Sequence, residues 1–226
     1  LDAIFGQLAA HNGMTRWGDK TPQYSDHLEV LLALFPDAQF IHIVRDGRDV
    51  SESIRAVGFG AKNACECAEQ WSQVLHRIRL FGARLPPGQF HDVSYERLIA
   101  APLTTLRGLA EFLHIEATED HWDEVARRLV GEVRADNAGK WRRTMIAREV
   151  RRFEGVAAET LTSYGYALAN PGPPRRIGPA ERLLWRTHGR AVRMATPAYW
   201  KDSVYKLTLR AAGAARWLHA PGARTV

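Results

Sequence analysis

The sequence predicts an α/β fold, a parallel sheet with helices on both faces, and three observations carry that reading. The run "FIHIV" at 40–44 is β-branched and aromatic, like a buried strand, and opens directly into a charged turn. A second, shorter strand candidate lies in "QFHDVSYE" at 89–96. Segments with apolar residues at helical spacing stand between and after these runs, and strand-then-helix alternation is the pattern of a parallel sheet covered by helices.

Taken in order, "SDHLEVLLALF" at 25–35 places apolar residues at 28, 31, 32 and 35 on one helical face, with Ser25 or Asp26 available as cap. "FPDAQ" ends that helix and the first strand follows. "RDGRDVSESIRAV" turns at Gly47 and enters a helix. Residues 64–81 carry Cys67, Trp71, Val74, Leu75, Ile78 and Phe81 on one side, the clearest helical pattern in the chain. "LPPG" breaks it before the second strand. Helical spacing returns at 103–113, again at 119–130, and over a long stretch from about 147 to 164. The segment "GEVRADNAGKWRR" between the last two reads as a polar, glycine-bearing loop. Trp71, Leu113, Trp141 and Tyr164 are expected in the core.

"NPGPPRR" at 170–176 is a linker by composition. It divides a main domain, residues 1–170, from a basic helical extension, residues 171–226. The charge is distributed accordingly: residues 1–170 hold 20 Lys+Arg against 23 Asp+Glu, whereas residues 171–226 hold 11 against 2, a balance of +9. A main domain of slightly negative charge, without a basic stripe of interleaved aromatics, argues against nucleic-acid binding. Two readings of the extension stand open. Its first amphipathic segment either packs its apolar stripe on the domain and shows arginines to water, which is the favoured reading, or lies on an anionic membrane surface.

No stretch approaches the roughly 18 uninterrupted apolar residues of a membrane-spanning helix. Cys65 and Cys67, two apart in a helical pattern, suit neither a disulfide framework nor a zinc site, and the nine histidines show no metal-ligand spacing. A reduced, cytoplasmic setting without a metal is the expectation. The first residue is Leu1 rather than Met, which predicts a start partway through a longer protein.

In parallel sheets, ligands gather where strands end and helix N-termini point. Arg45 stands at such an end, and a guanidinium there suits a phosphate or carboxylate. Ser53 falls one to two turns into the next helix and could offer its hydroxyl to the same anion. The bland alternative pairs Arg45 with Asp46 or Asp49 and turns Ser53 to solvent. Upstream, Lys20 in "RWGDKTPQY" precedes a helix start, where an ammonium can neutralise charge developing on a transferred group. The alternative there is an ordinary surface lysine.

The stretches "WGDKTPQY", "LFPDAQFIHIVRDGRDVSESI", "VSYERLIAAPLTTLRGLAEFLHI" and "AGKWRR" occur in that order. Together, over about residues 12–168, they resemble the sulfotransferases that use 3′-phosphoadenosine 5′-phosphosulfate, especially the bacterial and Golgi-type branches. The resemblance implies a three-layer fold of the nucleotide-hydrolase kind and sulfuryl transfer from that co-substrate. It also implies roles for particular residues. Arg45 and Ser53 match the pair that grips the donor's 3′-phosphate, and Tyr95 matches a tyrosine lining the adenine-nucleotide pocket. Lys140 matches a basic residue on a loop closing over the 3′-phosphate, with Gly139 permitting close approach. Lys20 matches a lysine touching the transferring group.

Two parts of the family pattern do not occur in these 226 residues. One is the Pro-Lys-(Ser/Ala)-Gly-Thr type of loop that cradles the 5′-phosphosulfate, and the other is an identifiable general base. The expectation is therefore either the C-terminal part of an enzyme or a truncated, inactive module that binds a nucleotide or polyanion. A small-molecule, lipid or carbohydrate hydroxyl is the expected acceptor.

Overall fold

The computed structural model describes residues 2–56, 60–170, 177–195, 197 and 200. In chain order these form α1 (Asp2–His11), a 3₁₀ turn (Pro22–Asp26), α2 (Leu28–Leu34), β1 (Phe40–Val44), α3 (Gly47–Ala56) and α4 (Ala64–Gly82). There follow β2 (Phe90–Ser94), α5 (Tyr95–Ala100), α6 (Pro102–Phe112), α7 (Glu119–Leu129), a second 3₁₀ turn (Ala135–Asn137), α8 (Trp141–Thr144), α9 (Ala147–Ser163) and α10 (Pro179–Met194). The architecture is α/β, a parallel sheet flanked by helices. All but the first residue of the expected linker, and most of the second basic segment, lie outside the described residues.

The chain divides into two units. Residues 1–45 and 73–138 hold the sheet, in which β1 and β2 run parallel with Phe40 opposite Phe90 and Val44 opposite Ser94. Among the described residues the sheet has these two strands. Three of the five residues of β1 are β-branched, and such side chains fit a pleated, half-buried surface. β2 has only Val93 of that kind, so its pairing with β1, rather than its propensity, makes it a strand. Phe40 packs edge-on against Phe81 of α4 with centroids 5.0 Å apart, and His91 stacks on Phe112 of α6 at 4.9 Å. Gln39, just before β1, donates to the carbonyls of Phe112 and Gly88 at 2.7 and 3.1 Å. This fixes where the strand starts.

Residues 46–72 and 139–226 form the second unit. Its core holds Trp71, Trp141, Val150, Phe153, Ala157 and Leu161, all buried. Every fourth or third residue of α9 therefore points inward, as the sequence pattern requires. Gly47 is essential to this packing. A Cβ there would lie 2.5 Å from the Trp71 ring and 2.7 Å from Phe153. Both cysteines are buried and free, and burial pushes the Cys65 thiol up to about 11 and that of Cys67 upward.

Four expectations are corrected. Ser25 and Asp26 do not cap α2. They belong to the preceding 3₁₀ turn, His27 holds the cap position, and Asp26 is ion-paired with Arg77. The strand read across 89–96 ends at Ser94, whose hydroxyl accepts from Arg97 N and caps a separate helix, α5. Of the four residues expected in the core, Trp71 and Trp141 are buried, while Leu113 and Tyr164 are only half-buried. The basic helix α10 departs in part from the favoured reading: Trp185 is half-buried beneath Arg152 and Arg186 stays exposed, but arginines also pair with α4. Arg186 and Arg193 reach Glu69 and Glu66 of α4, while Leu183 and Leu184 are each 62% exposed.

Gly47→Ala overpacks Trp71 and Phe153 and is expected to cost about 1–3 kcal/mol, read as a lower urea midpoint with unchanged slope. The cysteines should resist alkylation at pH 8 in the folded chain and both react once urea unfolds it, because both are buried and burial raises each thiol, leaving little thiolate.

Candidate functional site

Arg45 is the first residue after β1 and is half-buried. Its guanidinium lies over the Tyr95 ring, 4.6 Å from the centroid, and its Nη2 donates to the Asn137 carbonyl at 2.6 Å. Asn137 in turn donates from Nδ2 to the Tyr95 hydroxyl at 2.6 Å. Three residues thus hold one another in a triangle. Val44 pairs with Ser94 in the sheet, so the next residues along, Arg45 and Tyr95, emerge side by side from neighbouring parallel strands. The fold itself brings together two residues that lie fifty apart in sequence. Stacking a guanidinium on an aromatic face orients the fork, and orientation is what recognition of a planar or tetrahedral oxyanion needs.

Lys20 lies in the same unit and is exposed. Its neighbours are anchored. Asp19 accepts from Thr21 Oγ1 at 3.3 Å and from the Tyr24 hydroxyl, an interaction that also raises the Tyr24 phenol. Trp17 stacks on Phe5 and meets Phe35 edge-on, at centroid distances of 4.6 and 5.3 Å. The lysine is therefore displayed on a fixed turn.

The second unit carries the remaining expected residues. Ser53 is exposed on α3, and its hydroxyl folds back onto the Asp49 carbonyl one turn earlier at 3.2 Å. Gly139 has φ +68°, a left-handed conformation that glycine adopts without strain. Lys140 follows it, exposed, and Trp141 then opens α8. The Asp49 carboxylate accepts from the backbone N–H of Gly139 and of Trp141, each at 2.7 Å.

Beneath that loop lies a charged cluster that sequence reasoning missed. Asp46 accepts from Arg48 N at 2.9 Å, an N-cap on α3. It also receives the Arg48 side chain two-pronged, from Nε at 3.0 Å and Nη2 at 2.7 Å. Arg48 donates from Nη1 to Glu154 at 2.7 Å and from Nη2 to the Ala167 carbonyl at 3.0 Å. Its guanidinium stacks on Trp141 at 3.8 Å, and the indole N–H donates to Asp46 at 3.1 Å. Glu154 completes its shell with Ala169 N and Asn170 Nδ2, at 2.8 and 2.6 Å. Arg48 is 1% exposed and Glu154 2%. One signal was present in the sequence. Glu154 interrupts the apolar stripe of α9, and a carboxylate on a core-facing stripe needs a buried cation.

Comparison with known proteins follows from residues 1–120, which match the profile described as "Sulfotransferase family". That is just over half of the 226 residues. The chain belongs to the sulfotransferase family. It is 26% identical over 181 residues to "Protein-tyrosine sulfotransferase 1" of Danio rerio, covering 68% of this chain and 49% of that protein. It is 29% identical over 102 residues to the protein of that name from Mus musculus, covering 43% of this chain and 28% of the relative. The chain thus spans less than half the length of these curated relatives. Among solved structures it is similar to the "Sulfotransferase Domain from the Curacin Biosynthetic Pathway", at 22% identity and TM-score 0.48, covering 83% of this chain and 66% of that one. No helix of the described residues is long and apolar enough to cross a membrane, and no group of metal-ligating side chains stands together among them.

Glu154→Ala leaves the buried Arg48 charge without its second carboxylate. A loss of about 3–5 kcal/mol is expected, measured by urea denaturation.

Proposed function

We propose that this chain binds 3′-phosphoadenosine 5′-phosphosulfate and takes part in moving its sulfuryl group to a hydroxyl. The observation that carries the reading is the Arg45–Tyr95–Asn137 triangle on a chain of the sulfotransferase family. A guanidinium beside an aromatic ring offers what a nucleotide with an added phosphate requires, a cation for the oxyanion and a surface for the base.

In this reading Arg45 and Ser53 serve the donor's 3′-phosphate, together with Lys140 and the close backbone approach at Gly139. Ser53 must release the Asp49 carbonyl to donate outward, a rotation about one bond. Tyr95 lines the adenine-nucleotide side. Sulfuryl transfer, like phosphoryl transfer, is an in-line displacement whose catalysis is mostly positioning and charge stabilisation. The acceptor oxygen forms a bond to sulfur as the bond from sulfur to the 5′-phosphate oxygen breaks. The Lys20 ammonium stabilises the negative charge left on that oxygen. The acceptor's proton passes to a base to which these residues assign no side chain. Binding energy from the remote 3′-phosphate orients the reacting sulfur.

The names of the relatives favour a tyrosine hydroxyl on a peptide as acceptor, ahead of the small-molecule, lipid or carbohydrate hydroxyls that the sequence alone suggests. Two free, buried cysteines are in keeping with a cytoplasmic setting.

Calorimetry with adenosine 3′,5′-bisphosphate tests donor binding. Wild type should bind, and Arg45→Ala should weaken binding on the order of 10- to 100-fold, the worth of a hydrogen bond to a charged group. Arg45→Lys should recover only part, since an ammonium has no planar fork. Equal affinity in wild type and Arg45→Ala would refute the assignment. Transfer of labelled sulfate to a tyrosine-containing peptide then separates an enzyme from a module that only binds.

A further inference from the structure

We infer that Asp49 is a positioning residue that sets Lys140 for donor binding. The inference rests on the reading of Lys140 as a 3′-phosphate ligand. Asp49 is 1% exposed, and its two carboxylate oxygens are spent on the backbone: Oδ2 receives Gly139 N and Oδ1 receives Trp141 N, both at 2.7 Å. Three consecutive residues therefore wrap around one carboxylate. The first has no side chain, the third buries its indole against Arg48, and only the middle one, Lys140, is exposed.

Ser53 also meets this residue, at its backbone, in the contact it must release to reach the donor. The Asp49 carbonyl accepts the Ser53 hydroxyl at 3.2 Å. The side chain of a single residue on the first turn of α3 thus fixes a lysine that lies ninety-one positions away. Both oxygens of the carboxylate are needed, because each backbone N–H is a donor that would otherwise be desolvated without a partner. The device is rigid. Gly139 supplies the left-handed turn, and the indole of Trp141 is fixed by Asp46 and the Arg48 stack. Asp49 touches no ligand itself; it acts through the loop and the helix it joins.

The test is Asp49→Asn in the full chain. The amide keeps one acceptor and sets an NH₂ against the second backbone N–H. Affinity for adenosine 3′,5′-bisphosphate should fall on the order of tenfold, as when a partner that orients a ligating group is removed. Affinity for adenosine 5′-phosphate, which lacks the 3′-phosphate, should be unchanged. In a Lys140→Ala background, Asp49→Asn should add little further loss. Hydrogen exchange at the Gly139 and Trp141 amides should quicken. Asp49→Glu keeps the buried charge on a longer arm and should give the same selective loss, so it serves if the Asn variant does not fold. The inference is overturned if Lys140→Ala weakens bisphosphate binding while both Asp49 variants bind as wild type. It is also overturned if they weaken the two nucleotides equally, the sign of a merely structural role. If Lys140→Ala changes nothing while Arg45→Ala does, the role given to Lys140 fails and this inference with it, while the donor reading stands.

Discussion

The second unit is organised by the burial of one cation. A guanidinium withdrawn from water costs several kcal/mol unless every N–H finds a partner. Arg48 meets most of that demand, with four of its five N–H groups on the carboxylates of Asp46 and Glu154 and the Ala167 carbonyl, and the Trp141 ring on its face. Two carboxylates against one guanidinium would leave surplus negative charge. That surplus is spread over N–H donors from Trp141, Ala169 and Asn170. The arrangement joins the start of α3, the middle of α9, the segment 167–170 and the first residue of α8. Such a cluster adds little net stability over a well-packed apolar one, but losing any member leaves a charge stranded. It specifies which segments meet, and the loop at 139–141 inherits its place from that.

The sequence was legible where one pattern dominated. β1 declared itself by β-branching, and α4, α7 and α9 by spacing held over three turns or more. The parallel pairing followed from the alternation of elements. Less was legible where local chemistry competes. Ser94 looks like one more residue of a strand, yet its hydroxyl caps α5, and nothing in "VSYE" says which role wins until Arg97 N is in place. Among the site residues, Arg45 was reached from its place at the end of a strand and Tyr95, Gly139 and Lys140 through motif resemblance, and the first two do stand together. Asn137 and Asp49 were missed because asparagines in polar loops and aspartates in charged turns ordinarily face water. Asp49 meets the backbone of residues 139 and 141, and Asn137 meets the side chains of Arg45 and Tyr95; such distant partners are encoded by no spacing rule.

Helix α10 shows the same competition at larger scale. Its apolar residues suggested a stripe packed on the domain, yet Leu183 and Leu184 face outward. The reason lies on α4, where Glu66 and Glu69 are 7% and 8% exposed. Carboxylates so buried demand cations more strongly than two leucines demand cover, since an unpaired buried charge costs more than an exposed methylene saves. Arg193 reaches Glu66, and Arg186 reaches Glu69 at 2.8 Å. Gly189 allows the approach, for a Cβ there would lie 2.1 Å from Glu66 Oε2. Some of the positive excess of residues 171–226 is therefore structural neutralisation, and net charge overstates the basic surface available to an outside polyanion.

The turn "RDGRD" repeats one dipeptide with opposite outcomes. Its first arginine stays half-buried over Tyr95, and its second is the most deeply buried cation described. Its first aspartate caps a helix and grips a guanidinium, and its second grips a loop. The glycine between them decides this. Without a Cβ, the first turn of α3 presses onto Trp71 and Phe153, and that close approach carries Arg48 and Asp49 inside while Arg45, two residues before the glycine, stays at the strand's end. A side chain at position 47 would crowd the Trp71 and Phe153 rings. The same five residues that look like a surface turn supply the guanidinium over Tyr95 and the carboxylate that holds the loop at 139–141.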